Sequence, residues 1–395
     1  MTKPCYLDDP NLGELEKSYL SRCIDSTFVS TYGPFVPEFE AAFARFLGAP
    51  GAVSVQSGTA GLHLALHELG IGPGDEVLVP ALTFVASANP VSYTGARPVF
   101  VDVDAATWNM DPDAAELRIT ERTRAMVIVH LYGRICEMEP LAEIARRHSL
   151  CIIEDATEAL GSRYRGRPAG TLGDLGVFSF NGNKLITTGG GGMVVGSDPQ
   201  RLSHIRFLAN QARREEAGYF HPEIGFNYRM TNLEASLGLA QMQRLHEFIE
   251  SKRRIHGIYA EAFRDVGELQ LQAPCEGADD VVWLNAVTID TAHTGKGIPE
   301  IMESLKQRGI PTRRLFMPLV CFPPYFEGHR EEAYPRALRL YNEGLCLPSS
   351  TLNSAGAIRR AAEGLKGLLV KRHPRPALVS ARTAAAATAM TGGSR

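Results

Sequence analysis

With 395 residues, 44% of them hydrophobic and 22% charged, the chain is long enough for two or three domains around a sizeable core. Its formal net charge of −3 excludes a general electrostatic pull toward nucleic acid or an anionic membrane. The seven cysteines are odd in number and contain no C-x-x-C pair, which argues against a disulfide framework or a zinc ribbon; no metal site is expected.

The N-terminus, MTKPCYLDDPNLGELEKSYL, has no apolar leader, and no uncharged apolar run approaches the roughly 18 residues of a membrane span, so a cytoplasmic protein is expected. Strand-like runs then follow in order: Ala52–Gln56, Glu76–Pro80, Pro98–Val103, Ala125–His130, Leu150–Asp155, Leu175–Phe180 and Gly192–Gly196. Several are separated by helix-like segments such as TAGLHLALHELG and LAEIARRHS. This alternation predicts an α/β fold with a seven-stranded, mostly parallel sheet covered on both faces, where ligands bind at the carboxyl ends of the strands. After Leu233 the pattern changes to long amphipathic helices, then a strand in VVWLNAVTID and a helix in IPEIMESLKQRGI. These predict a smaller C-terminal α/β domain. The expected layout is an N-terminal segment 1–36, a large domain 37–250, a small domain 251–371, and a disordered Ala/Thr-rich tail 372–395.

Lys184 is the most informative residue. It is the only lysine between Lys17 and Lys252, and it lies past an apolar strand and before four consecutive glycines. A partly desolvated amine is a nucleophile toward an aldehyde; the plain alternative is a lysine at a loop edge. No Gly-Lys-Ser/Thr element is present, so a Walker A loop is excluded. Asp155 closes the buried run CIIED, where a carboxylate needs a cationic partner, although a capping or metal-binding role fits the same position. Ser57-Gly58-Thr59 stands between a strand and a helix, the setting of a phosphate-binding helix N-terminus or of an ordinary N-cap. Ser179 could add a hydroxyl to the same phosphate, and Phe84 could stack on a ring or belong to the core.

The segments SGTAGLHLAL, GPGDEVLVPALTFVASAN, PVFVDVD, VHLYG, IIEDATEALGS, GDLGVFSFNGNK and GFNYRMTNLEASLGLAQ together resemble the DegT/DnrJ/EryC1/StrS sugar aminotransferases, from about Asp8 to Lys371. The resemblance implies an aspartate-aminotransferase-type fold (PLP fold type I), pyridoxal 5′-phosphate (PLP) as cofactor, and a homodimer with active sites shared between subunits. Lys184 would carry the cofactor, Asp155 would face its pyridine nitrogen, and Gly58, Thr59 and Ser179 would bind its phosphate. Phe84 would cover one ring face, and Asn227 would reach the phosphate from the partner subunit. Glu158 stands where Gln is frequent, beside the ring hydroxyl. Members that dehydrate carry His in place of the lysine, and non-catalytic members would lose Lys or Asp, so retention of both favours transamination. CIDSTFVSTYGPFVPEFE, FNGNKLITTGGGGM and RRLFMPLVCFPPY further resemble the LegC/PglE-like subgroup. That implies amination at C4 of a nucleotide-linked 4-keto-6-deoxy sugar with L-glutamate as donor, UDP-linked first and the GDP-linked perosamine-type sugar as the alternative. Asn181, Glu158 and the Ser26–Tyr32 loop, with Ser30 and Tyr32 in it, are candidates for touching sugar or nucleotide; Arg313, Arg314 and Tyr325 are further candidates, with an ordinary polar rim as their competing reading.

Overall fold

Seven strands build the central sheet of the computed structural model, which describes residues 4–214, 219–325 and 331–369. In chain order they are β1 (Ala52–Val55), β2 (Glu76–Pro80), β3 (Arg97–Val101), β4 (Thr123–Val129), β5 (Cys151–Asp155), β8 (Leu175–Ser179) and β9 (Gly192–Gly196), with a small hairpin, β6 (Arg163–Tyr164) and β7 (Arg167–Pro168), after β5. The spatial order is β1-β9-β8-β5-β4-β2-β3. Only β9 runs against the others: it pairs antiparallel with both β1 and β8, while the remaining neighbours are parallel. Nearly every residue of β2, β4 and β5 is buried, as expected where helices cover both faces and a strand has no solvent side.

This topology gathers the site. The N-terminal helices are α1 (Glu14–Asp25) and α2 (Phe35–Leu47); α3 (Gly58–Glu68) starts three residues after β1 ends, at the carboxyl edge of the sheet. β5 delivers Asp155 to that edge. The connection from β8 to β9 leaves and re-enters there, so Lys184 and the glycine run lie over the same end.

A second, antiparallel sheet is formed by β10 (Leu269–Leu271), β12 (Asn285–Ile289), β13 (Arg313–Arg314) and β14 (Gly344–Leu347), in the order β10-β12-β14-β13; β11 (Ala278–Asp279) pairs with β6 instead. Its apolar face packs with residues such as Ile255, Tyr259 and Ile358 into a separate cluster. Trp283, Leu315, Leu319 and Tyr325 instead join the core of the large sheet. The run after Leu233, read as several helices, is one 32-residue helix, Asn232–Phe263. Its start follows from TNLE, a capping box in which Glu234 N–H donates to Thr231 Oγ1 at 3.2 Å and Thr231 N–H donates to Glu234 Oε2 at 2.7 Å. The helix runs unbroken through the boundary expected at residue 250. Residues 6–9 lie against the second sheet: Tyr6 N–H donates to Asn353 Oδ1 at 2.9 Å, and Ser349 N–H donates to the Leu7 carbonyl at 2.6 Å. The tail 372–395 lies outside the described residues, as do 370 and 371. Among the described residues no helix is long and apolar enough to cross a membrane.

Candidate active site

A cavity of about 340 Å³ opens at the carboxyl edge of the large sheet, where the second sheet closes over it. Its floor is built by the ends of β4, β5 and β8, at Val129, Asp155 and Ser179, with Ser57 after β1 and Gly190 and Gly191 before β9. Ser57 caps α3 in extended conformation, its Oγ accepting from Ala60 N–H at 3.0 Å, and Gly58 and Thr59 form the first turn at the cavity wall. Glycine is required around this turn by space. A Cβ on Gly58 would stand 3.1 Å from both Ser179 Cβ and Thr157 Cγ2, and one on Gly192 would come within 2.7 Å of the Ser57 carbonyl carbon. The helix N-terminus is thereby pressed between β8 and β9, with its dipole directed at the cavity.

Strand alternation separates the two carboxylates of CIIED. Glu154 points away from the cavity: it accepts from His130 Nε2 at 3.0 Å and from the amides of Gly170, Leu172 and Gly173. Because His130 Nδ1 accepts from Cys136 N–H, its proton sits on Nε2, and this pair is a structural brace of the loop 170–173. Asp155 faces the cavity, 3% exposed. Its Oδ2 accepts from Ser87 Oγ at 2.7 Å and its Oδ1 from Thr157 N–H at 3.3 Å, while Ser87 Oγ lies 3.0 Å from Thr83 Oγ1.

Lys184 borders the same cavity. Its Nζ lies 3.5 Å from Glu158 Oε1 and 4.1 Å from the centroid of the Trp283 ring, with the side chain mostly buried. Glu158 is fixed by Tyr132 N–H, which donates to its Oε2 at 2.7 Å. Burial pushes the Glu158 carboxyl above the usual carboxylate range, against the pull of Lys184. The Trp283 indole N–H donates to the Asn183 carbonyl at 2.7 Å, so the ring and the lysine turn hold each other.

Of the residues expected from the sequence, Gly58, Thr59, Phe84, Asp155, Glu158, Ser179, Asn181 and Lys184 all border this one cavity. Phe84 is 54% exposed at its rim, against Phe316. Asn227, Ser30 and Tyr32 are exposed and do not border it within this chain. Arg314 is corrected: it turns away, its guanidinium over the Tyr341 ring at 4.0 Å and its Nη2 donating to the Tyr341 carbonyl, while its neighbour Arg313 borders the cavity. Tyr325 is likewise a core residue, packed edge-on against Phe100 with its hydroxyl donating to Asn89 Oδ1 at 2.6 Å. Sequence reasoning missed Ser87, Thr157, Asn183, Trp283 and Phe316 as cavity residues. Trp283 carried a usable signal, being one of only two tryptophans.

These residues fit PLP. A helix N-terminus with two flanking hydroxyl residues can hold a phosphate. A buried carboxylate whose hydrogen-bond partners are a hydroxyl and an amide has no cationic partner among the described residues, and its burial calls for one. A mostly buried amine stands in the same cavity.

Comparison with known proteins agrees with this chemistry. The DegT/DnrJ/EryC1/StrS aminotransferase family matches residues 10–366. GDP-perosamine synthase of Caulobacter vibrioides is 44% identical over 322 residues, 80% of this chain and 85% of that protein. GDP-perosamine synthase of Escherichia coli O157:H7 is 41% identical over 340 residues, 86% of this chain and 92% of that protein. Among solved structures, Spr1654 from Streptococcus pneumoniae in its PLP form superposes with a TM-score of 0.88 at 27% identity, covering 93% of this chain and 99% of its own.

Proposed function

The chain belongs to the DegT/DnrJ/EryC1/StrS aminotransferase family and is a PLP-dependent sugar aminotransferase, and from that premise we propose that it aminates C4 of GDP-linked 4-keto-6-deoxymannose with L-glutamate as donor. The observation that carries the chemistry is the convergence of Lys184, Asp155 and the N-terminus of α3 on one cavity. The choice of sugar rests on the two GDP-perosamine synthases, which are similar over most of their length. They favour the GDP-linked substrate over the UDP-linked, LegC/PglE-like one that the sequence motifs put first.

When bound, PLP supplies an aldehyde that accepts an amino group and a ring that delocalises the electron pair left when a proton departs the neighbouring carbon. The protein does the rest. Lys184 is the residue that would hold the aldehyde, and its free amine would take the proton from the donor Cα. Glu158 and the Trp283 face would hold the ammonium that forms when the amine gains that proton, by charge and by cation–π attraction. The Asp155 carboxylate, oriented by Ser87 and Thr157, would keep the ring nitrogen protonated. Gly58, Thr59 and Ser179 would anchor the phosphate. One lysine serves both halves of the reaction because donor and keto-sugar must place their reacting carbon at the same amine. Asn227, Ser30 and Tyr32, exposed here, are proposed to complete the site of a partner subunit in a homodimer.

The test is direct. The purified protein should absorb in the visible, and Lys184→Ala should lose that band. Incubated with L-glutamate and a panel of GDP-, UDP- and dTDP-linked 4-keto-6-deoxy sugars, it should give an aminated product by mass from the GDP-linked sugar first. A preference for a UDP- or dTDP-linked sugar would overturn the substrate assignment. A colourless protein that takes up no PLP would contradict the cofactor chemistry itself.

A further inference from the structure

The cavity is bordered by two cationic side chains among the described residues, Lys184 and Arg313, and the mechanism uses only the first. Arg313 lies on β13, with Cζ 5.8 Å from the Trp283 ring centroid and 5.9 Å from that of Phe316. Its Nη1 donates to Asp8 Oδ2 at 3.1 Å. Its buried Nη2 has no hydrogen-bond partner among the described residues. Leaving a guanidinium N–H unpaired away from water is costly, and an incoming acceptor relieves that cost. Asp8 is itself held in place: the carbonyls of its neighbours Leu7 and Asp9 accept from Ser349 N–H and Ser350 Oγ. The same Asp8 Oδ2 accepts from Asn183 Nδ2 at 3.0 Å, next to Lys184. One carboxylate of the N-terminal segment thus ties the guanidinium to the lysine turn.

We infer that Arg313 binds the α-carboxylate of the amino donor and that Asp8 is its positioning residue, a reading that rests on the aminotransferase function proposed above. The two substrates differ chemically at the reacting carbon. An amino-acid donor carries a carboxylate directly on it. A keto-sugar carries hydroxyls on the adjacent carbons, and its phosphates lie several bonds further out. A cation that shares the Trp283 ring with the Lys184 amine is therefore placed for the donor's anion and not for the diphosphate. With one arm of the planar fork taken by Asp8, the unpaired arm is left to donate to a carboxylate oxygen.

The experiment uses PLP-loaded enzyme and a donor analogue that cannot turn over. 2-Methyl-L-glutamate lacks the removable Cα proton, and its binding is read from the change in visible absorbance; 4-aminobutyrate, glutamate without the α-carboxylate, is the control amine. Arg313→Gln should weaken 2-methyl-L-glutamate about 10- to 100-fold, the worth of a charge-assisted contact. It should leave 4-aminobutyrate, GDP affinity and cofactor content within about twofold. Arg313→Lys should recover part of the loss. Asp8→Asn should raise the glutamate KM severalfold without changing the nucleotide-sugar KM or the rate at saturating donor. Unchanged 2-methyl-L-glutamate affinity in Arg313→Gln would overturn the inference, and so would a loss of GDP affinity in its place. Should Arg313→Gln fail to retain cofactor, Arg313→Lys reads the same affinities. The binding comparison needs no sugar, so a wrong sugar assignment in the substrate panel leaves its outcome intact.

Discussion

Lys252 offers a sharp test of how the second sheet supports the site. Its side chain is 3% exposed, and Nζ donates to the carbonyls of Trp283 at 2.7 Å and Ser349 at 2.6 Å. A neutral amine has two N–H groups, one for each carbonyl, while an ammonium has a third. Burial lowers its pKa to about 7, with Asp8 pulling the other way. The unfolded lysine titrates at its ordinary value of 10.5. Between those values the unfolded chain binds a proton that the folded chain has released, so stability rises with pH. The contribution is complete above the unfolded value, falls as pH drops toward 7, and is flat below. Replacing Lys252 with Met removes this titration and strands two buried carbonyls at about 1–3 kcal/mol each, offset in part because no amine is desolvated. The stability gap between the native protein and Lys252→Met should therefore widen by about 2–3 kcal/mol from pH 7 to pH 9. Urea unfolding at saturating PLP and fixed protein concentration measures it. A gap that stays constant over that range would refute the argument, because the folded lysine would then titrate outside it.

Three further outcomes follow from the cavity floor. Asp155→Asn should lower kcat/KM about 10²- to 10³-fold, the scale of a lost preorganised charge, while visible absorbance shows that cofactor is still bound. Ser87→Ala removes the 2.7 Å hydrogen bond to Asp155 and should slow initial rates at least about 10-fold, with little change in substrate KM. Gly192→Ala would force a Cβ to 2.7 Å from the Ser57 carbonyl carbon, so equilibrium dialysis against PLP should show cofactor affinity falling more than it does in Gly72→Ala, where the added Cβ meets open space.

The large sheet was readable because its strands are apolar and bounded by turns; β2 and β9 match the expected residues, and the other five differ by one or two at their ends. Lys184 and Asp155 were legible for the same reason, being polar residues at the ends of buried runs. The second sheet was harder. β13 is only two residues long, so no alternation shows which of Arg313 and Arg314 faces the cavity. Tyr325 sits in a Pro-rich stretch without periodicity, where a core aromatic and a rim aromatic look alike. Ser87 lies in a 3₁₀ turn, and its bond to Asp155 spans 68 residues, which no local pattern encodes. Asn227, Ser30 and Tyr32 are surface residues of one chain, so their roles depend on a second.

The antiparallel return of β9 has an evolutionary consequence. Because the lysine turn is pinned at both ends by neighbouring strands, and the first glycine of β9 abuts the turn that opens α3, insertions there would disturb the Lys184 turn and the start of α3 together. Arg313 belongs to the second sheet, whereas Phe316 beside it packs against the core of the large one. A substitution in the wall these two residues form would therefore be felt both by the donor site inferred at Arg313 and by the core of the large sheet.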